Sequence, residues 1–183
     1  MRRLLFVALV ALVSSVCLYG QKGGHKIEFG INYSPKENFI IVEDAPTMLY
    51  KFGAYSEFRW ALGRHFDTGA RLDCKVGPIG PDSYCINDNA LAISGDLLAI
   101  IDYNILSGKA VNPFIGLGLG PGFGMHNNAV DKSWGGQFLI YADARIGIEL
   151  FRHLRLSVDF SVPYWRGEFP YFTTLNANIG WVF

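Results

Sequence analysis

From residue 26 to its last residue the chain returns again and again to one period: apolar side chains at every second position, with polar ones between. That spacing puts successive side chains on opposite faces of an extended strand, and it does not suit a helix. Eight segments carry it. Ile27, Phe29, Ile31 and Tyr33 alternate with Lys26, Glu28, Gly30 and Asn32. Phe52, Ala54, Phe58, Trp60 and Leu62 oppose Lys51, Gly53, Tyr55, Glu57 and Arg59. Ala70, Leu72, Cys74 and Val76 face away from Asp67, Gly69, Arg71, Asp73 and Lys75. The fourth segment, Leu91 to Tyr103, is the least regular: Leu91, Ile93, Leu97, Ala99 and Ile101 oppose Ser94, Asp96, Leu98 and Asp102.

The fifth segment, FIGLGLGPGFGM over 114–125, has glycine at every second position from 116 to 124. A phosphate-binding loop needs a different spacing and a following Lys and Ser or Thr, neither of which is present. It therefore reads as a strand with Ile115, Leu117, Leu119, Pro121 and Phe123 on one face and bare backbone on the other. These glycines are expected to leave space for long side chains of neighbouring strands, and pairing is expected to loosen at Pro121, which lacks an N–H. In the sixth segment Ile140, Ala142, Ala144, Ile146, Ile148 and Leu150 oppose Tyr141, Asp143, Arg145, Gly147 and Glu149. The seventh sets Leu156, Val158, Phe160 and Val162 against Arg155, Ser157, Asp159 and Ser161. The eighth sets Leu175, Ala177, Ile179, Trp181 and Phe183 against Thr174, Asn176, Asn178 and Gly180.

Segments of this length match the roughly 9–11 residues with which a tilted strand crosses a bilayer. Connections alternate between tight (Gly63–His65, Asn104–Lys109, Arg152–His153) and long (Pro35–Pro46, Pro78–Ala90, His126–Gly136, Pro163–Pro170). Short turns on one rim and long loops on the other are the pattern of an all-β, eight-stranded antiparallel up-and-down transmembrane barrel, with the turns in the periplasm. The rival is a secreted barrel of lipocalin type, apolar inside and wet outside. Two features favour lipid outside. The strand charges share one face, and Lys or Arg facing mid-bilayer would cost roughly 2–4 kcal/mol each. Aromatic residues also collect at strand ends, with Trp60, Phe66, Tyr103 and Trp181 near the turns and Tyr33, Tyr50, Phe123 and Tyr164 near the long loops, as in two interfacial girdles.

Residues 1–20 read as a signal peptide, with MRR before an apolar run too short to span a bilayer comfortably. Cleavage after Cys17 and cleavage after Gly20 both fit, and residues 21–183 form one barrel domain. Ser14 and Val16 do not make a lipid-attachment motif around Cys17. Two cysteines remain, Cys74 and Cys85; outside the cytoplasm they form either one disulfide or two separate thiols. Sixteen basic residues balance sixteen acidic ones, which gives no footprint for nucleic acid.

The closing run Leu175, Ala177, Ile179, Trp181 and Phe183 resembles the C-terminal signature that the barrel-assembly machinery recognises in bacterial outer-membrane proteins. With the signal peptide, the seven preceding strands and the segment Asn112-Pro-Phe-Ile-Gly-Leu-Gly-Leu-Gly, the chain resembles the small outer-membrane β-barrel family of Gram-negative bacteria, the OmpX/OmpW-like group. The resemblance implies an outer-membrane location, contact with outer-membrane lipid and lipopolysaccharide, and no cofactor. It names no ligand for the loops, although Phe39, Ile40, Ile41 and Trp165 would stand there.

The inward face is where chemistry can reside. Glu57, Arg59, Arg71, Asp73, Asp96, Asp143, Arg145, Glu149, Arg155 and Asp159 are its expected charge network. Eight strands enclose a space just wide enough for side chains, so a closed, salt-bridged plug is the first reading. A narrow pore is the second, implied by the OmpW-like branch. A third is a lipid-A-modifying enzyme. The deacylase branch uses a His-x-Ser pair, and here Asn128 follows His126 where the serine belongs, so the histidine has no hydroxyl to activate. His126 is expected in a loop, and His25, His65 and His153 have no metal-ligand spacing.

Overall fold

A computed structural model of the protein describes residues 24–35, 50–78, 91–127, 134–164 and 174–183. The signal segment, Cys85, Phe39, Ile40, Ile41 and Trp165 lie outside those residues. Eight strands follow in order: β1 His25–Ser34, β2 Lys51–Ala61, β3 Phe66–Pro78, β4 Leu91–Asn104, β5 Val111–Asn127, β6 Trp134–Leu150, β7 Leu154–Tyr164 and β8 Thr174–Val182. Each pairs antiparallel with its neighbours, and β8 closes on β1 from Glu28 opposite Val182 to Tyr33 opposite Ala177. Phe183 extends the seam, its N–H donating to Ile27 O at 2.8 Å.

The registers fix the barrel's slant. From Phe66 on β3, paired residues lead through Tyr103, Ile115, Ile146, Val158, Ala177, Tyr33 and Phe52 back to β3 at Val76, ten residues from the start. A stagger of this size tilts the strands by about 40° to the barrel axis. No Asp, Glu, Lys or Arg stands on the outward side of any described strand. That side instead exposes Ile31, Phe52, Leu72, Leu97, Leu117, Phe138 and Ile146, each more than half accessible. Trp60, Phe66, Tyr103 and Trp181 point outward at the turn rim, and Tyr33, Tyr50 and Phe123 at the other. The side chain of Tyr164 lies outside the description.

Two expectations change. The loop expected over His126–Gly136 is narrower, because β5 and β6 run on until Asn127 stands opposite Trp134. His126 is thus backbone-paired at the end of β5, opposite Ala92 and Gly135. The period continues through Met125, and nothing in a glycine-rich backbone obstructs the ladder. Pro121 does interrupt pairing with β4, between Asp96–Gly122 and Ala99–Leu119, but the ladder resumes in the same register and the β6 side is unbroken.

The short turns are tightly bonded. Gly108 adopts φ +80°, a conformation open to glycine at little cost. At the β6–β7 turn His153 N donates to Leu150 O at 3.0 Å across Phe151 (φ 52°) and Arg152 (φ 67°). Both central residues are left-handed, a geometry that favours Asn-Gly and costs other residues roughly 1–2 kcal/mol each.

Candidate functional site

Alternation carries every strand charge into the lumen, and the lumen sorts these charges into layers. At the centre stand three arginines and three carboxylates from five strands. Arg145 spans two acids, with Nη1 at 2.7 Å from Glu57 Oε2 and Nε at 2.8 Å from Asp102 Oδ1. Arg155 Nη2 lies 2.5 Å from Asp102 Oδ2 and its Nη1 3.1 Å from Glu57 Oε1, while its guanidinium rests 3.6 Å over the Phe114 ring. Arg59 donates to Glu28 Oε2 at 2.8 Å. Its Nε comes within 2.9 Å of Glu57 Oε1 without the alignment of a hydrogen bond. All six side chains are at most 3% accessible.

Nearer the turns, Lys26 bridges Glu149 at 3.2 Å and Asp67 at 3.4 Å. Toward the long loops, Arg71 binds Asp159 at 2.7 Å, Asp73 at 3.1 Å and Asn178 at 2.8 Å, and lies over the Tyr55 ring. The Tyr55 hydroxyl donates to Glu28 Oε1 at 2.5 Å and so couples this layer to the centre. Higher still, Asp143 accepts from Ser161 at 2.6 Å, Asn32 donates to Asp73, and Ser34 bonds Asn176. Desolvation of so many ions is tolerable only because most carry charge-assisted bonds to opposite charges.

The structure therefore brings Glu57, Arg59, Arg71, Asp73, Arg145, Glu149, Arg155 and Asp159 into one connected lattice. Asp143 belongs instead to a separate polar chain, accepting from Ser161, which in turn accepts from Asn176. Asp96 stands apart, with a buried Oδ1 that no hydrogen bond satisfies. Glu28 and Asp102, which hold the centre together, lie on the polar face in the sequence, but nothing there ranks them above the other acids. The fourth segment's irregularity has a physical cause: Leu98 and Ile100 point inward and pack with Leu139 and Tyr141 into a buried apolar cluster beside the charges.

The glycine row divides by position. A Cβ on Gly116 would strike Asp102 Oδ1 and lie 2.9 Å from Arg145 Nε, and one on Gly122 would meet the Tyr141 ring at 2.5 Å. At Gly120 the obstacle is the Leu97 backbone, and at Gly124 nothing lies within 4 Å. The expected packing role thus holds at Gly116 and Gly122. Cys74 is a free, exposed thiol on the outward face of β3. Of the terminal run, Ala177, Ile179 and Trp181 are exposed outward, and Leu175 and Phe183 are half-buried. His65 Nδ1 bonds Asn104 O at 2.8 Å and His153 Nδ1 bonds Val182 O at 3.0 Å, so both histidines fasten the turn rim. Among the described residues no cluster of His, Cys, Asp and Glu could hold a metal ion.

Solved structures share this architecture. Neisserial surface protein A matches with a TM-score of 0.62 at 10% identity, covering 87% of this chain and 96% of its own. Ail, the attachment invasion locus protein of Yersinia pestis, gives 0.54 at 11% identity over 88% of this chain and 99% of its own. The N-terminal β-barrel domain of Pseudomonas aeruginosa OprF gives 0.53 at 13% identity over 88% and 98%. At such identities the likeness is one of fold: a closed, eight-stranded antiparallel barrel of the kind these proteins have. No protein-family model and no curated protein matches the sequence.

Proposed function

We propose that the protein is an integral outer-membrane β-barrel of the OmpX/OmpW-like kind, exported by residues 1–20 and closed at mid-depth by its arginine–carboxylate layer. One observation carries this reading: every described strand charge is inside, and the outward face carries no charge and is apolar but for scattered small residues such as Ser56 and Thr68. In water the arrangement would be inverted, because roughly 25 cal/mol is lost per Å² of apolar surface left exposed. In lipid it is the stable one. The terminal run Leu175 to Phe183 serves as the assembly signal read by the barrel-assembly machinery, and lipopolysaccharide and phospholipid cover the belt.

A lumen plugged at mid-depth by side chains at most 3% accessible conducts neither solutes nor ions, so the barrel's role is structural and its working surface is the loop rim. Planar-bilayer recording tests the closure: the inserted wild-type barrel is expected to show no stepwise openings. Reproducible unitary conductance would overturn the closed lumen in favour of a pore. A heat-dependent shift in gel mobility after mixing with lipid vesicles reports insertion separately.

A further inference from the structure

The turn rim carries a feature that barrel closure does not require. The connections 62–65, 105–110 and 151–153 contain Arg64, Lys109 and Arg152 and no acidic residue. They form one arc. His65 and Asn104 exchange bonds at 2.7 and 2.8 Å, joining the first turn to the second. Arg152 Nη2 donates to Gly108 O at 3.1 Å and Phe151 N to Ala110 O at 2.6 Å, joining the second to the third. All three basic side chains are exposed, and among the described residues no carboxylate pairs with them. Between them stand exposed apolar residues, Leu62, Ile105, Leu106 and Phe151, the last 71% accessible. Phe151 and Arg152 are held at the tip against the turn's preference for Asn-Gly. Basic and apolar side chains interleaved without acids suit an anionic lipid interface.

A furrow of about 740 Å³ opens beside this arc on the outward face. It starts at Phe66 and Tyr103, directly next to the turns bearing Arg64 and Lys109. From there it follows the slant of paired rows past Ile115, Ala144 and Phe160 to Leu175, near the far end of β8. Ala144 and Gly116 keep its floor low, and its lining is apolar apart from Arg145, whose guanidinium is turned into the lumen, so it has the shape and chemistry for an acyl chain.

We propose that the arc and the furrow together seat one intact anionic phospholipid of the periplasmic leaflet, with its headgroup drawn to the rim by the positive field of Arg64, Lys109 and Arg152 and an acyl chain along the furrow. The proposal rests on the membrane location argued above. Charge complementarity selects the occupant, since a zwitterionic headgroup gains less from three cations that have no carboxylate partner among the described residues.

The test reconstitutes the full barrel into vesicles of equal parts phosphatidylethanolamine and phosphatidylglycerol, then reads the lipids retained after detergent release by native mass spectrometry. Wild type is expected to retain phosphatidylglycerol in preference, and each of R64Q, K109Q and R152Q to lower that preference about fivefold. Ala144→Phe, which fills the furrow, is expected to lower retention with the arc intact. Excess soluble glycerol phosphate should not displace the lipid. Equal retention of both lipids by inserted wild-type barrel, or an unchanged preference in the triple glutamine variant, would overturn the proposal while leaving the membrane reading intact. Displacement by glycerol phosphate would overturn the acyl-chain half, and a lipid-free dimer abolished by Ala144→Phe would make a second copy the occupant instead. A barrel that never acquires heat-modifiable mobility would overturn the membrane location itself.

Discussion

The lumen is filled in two ways. At mid-depth, Arg59, Arg145 and Arg155 meet Glu28, Glu57 and Asp102, while nearer the long loops on β4 and β6, Leu98, Ile100, Leu139 and Tyr141 pack against one another. Both regions are nearly inaccessible, yet they respond differently to loss of a member. An apolar residue forfeits its own transfer energy and leaves a cavity. A member of the ion layer also leaves its partners charged and buried, so the layer is only as stable as its least replaceable ion.

The largest effect is therefore expected at Asp102, which holds both Arg145 and Arg155. Asp102→Leu should cost about 4 kcal/mol in reversible urea unfolding followed by tryptophan fluorescence. Leu139→Ala in the apolar cluster should cost about 3 kcal/mol in the same assay. A smaller loss at Asp102 than at Leu139 would break the contrast, showing that water relaxes the ion layer.

The glycine row borders both regions. Gly116→Ala pushes against Asp102 and Arg145, which are pinned by each other, and should cost about 2 kcal/mol. A Cβ at Gly118 lies 3.2 Å from Asp143 Cβ and 3.3 Å from Leu98 Cδ1. Small shifts relieve that contact, so Gly118→Ala should cost under about 1 kcal/mol; melting of the folded band on gels can rank the two. Lys26→Ala should have the smallest effect, about 0–1 kcal/mol, because its side chain is 34% accessible at the rim where water screens it. Loss of several kcal/mol there would show that the ion lattice acts as one unit out to its edge.

Much of the fold was legible because the β period is strict. Which face Glu57, Arg71 or Ile146 occupies follows from parity alone, and one charge on the wrong parity would have upset the pattern. Ends of elements were less legible: the alternation of Phe123 and Met125 carries β5 past the expected loop start, and only pairing with Gly135 and Gly136 shows that the strand continues. Leu98 and Tyr141 were legible as inward residues, but Ile100 and Leu139, which complete their cluster, were not.

Strand number, the sidedness of every described strand charge and the aromatic rims are already written in the residue order, because these depend on local alternation and on the separation of apolar from polar groups. The partners were decided only by the tertiary structure. Arg145 stands in register with Asp159 and Arg155 with Glu149, yet both guanidiniums cross the lumen to Glu57 and Asp102. Closing eight slanted strands into a ring brings β2 and β4 opposite β6 and β7. The long arginine side chains then reach acids more than forty residues away in sequence, a proximity set by the stagger of the whole barrel and by no local pattern.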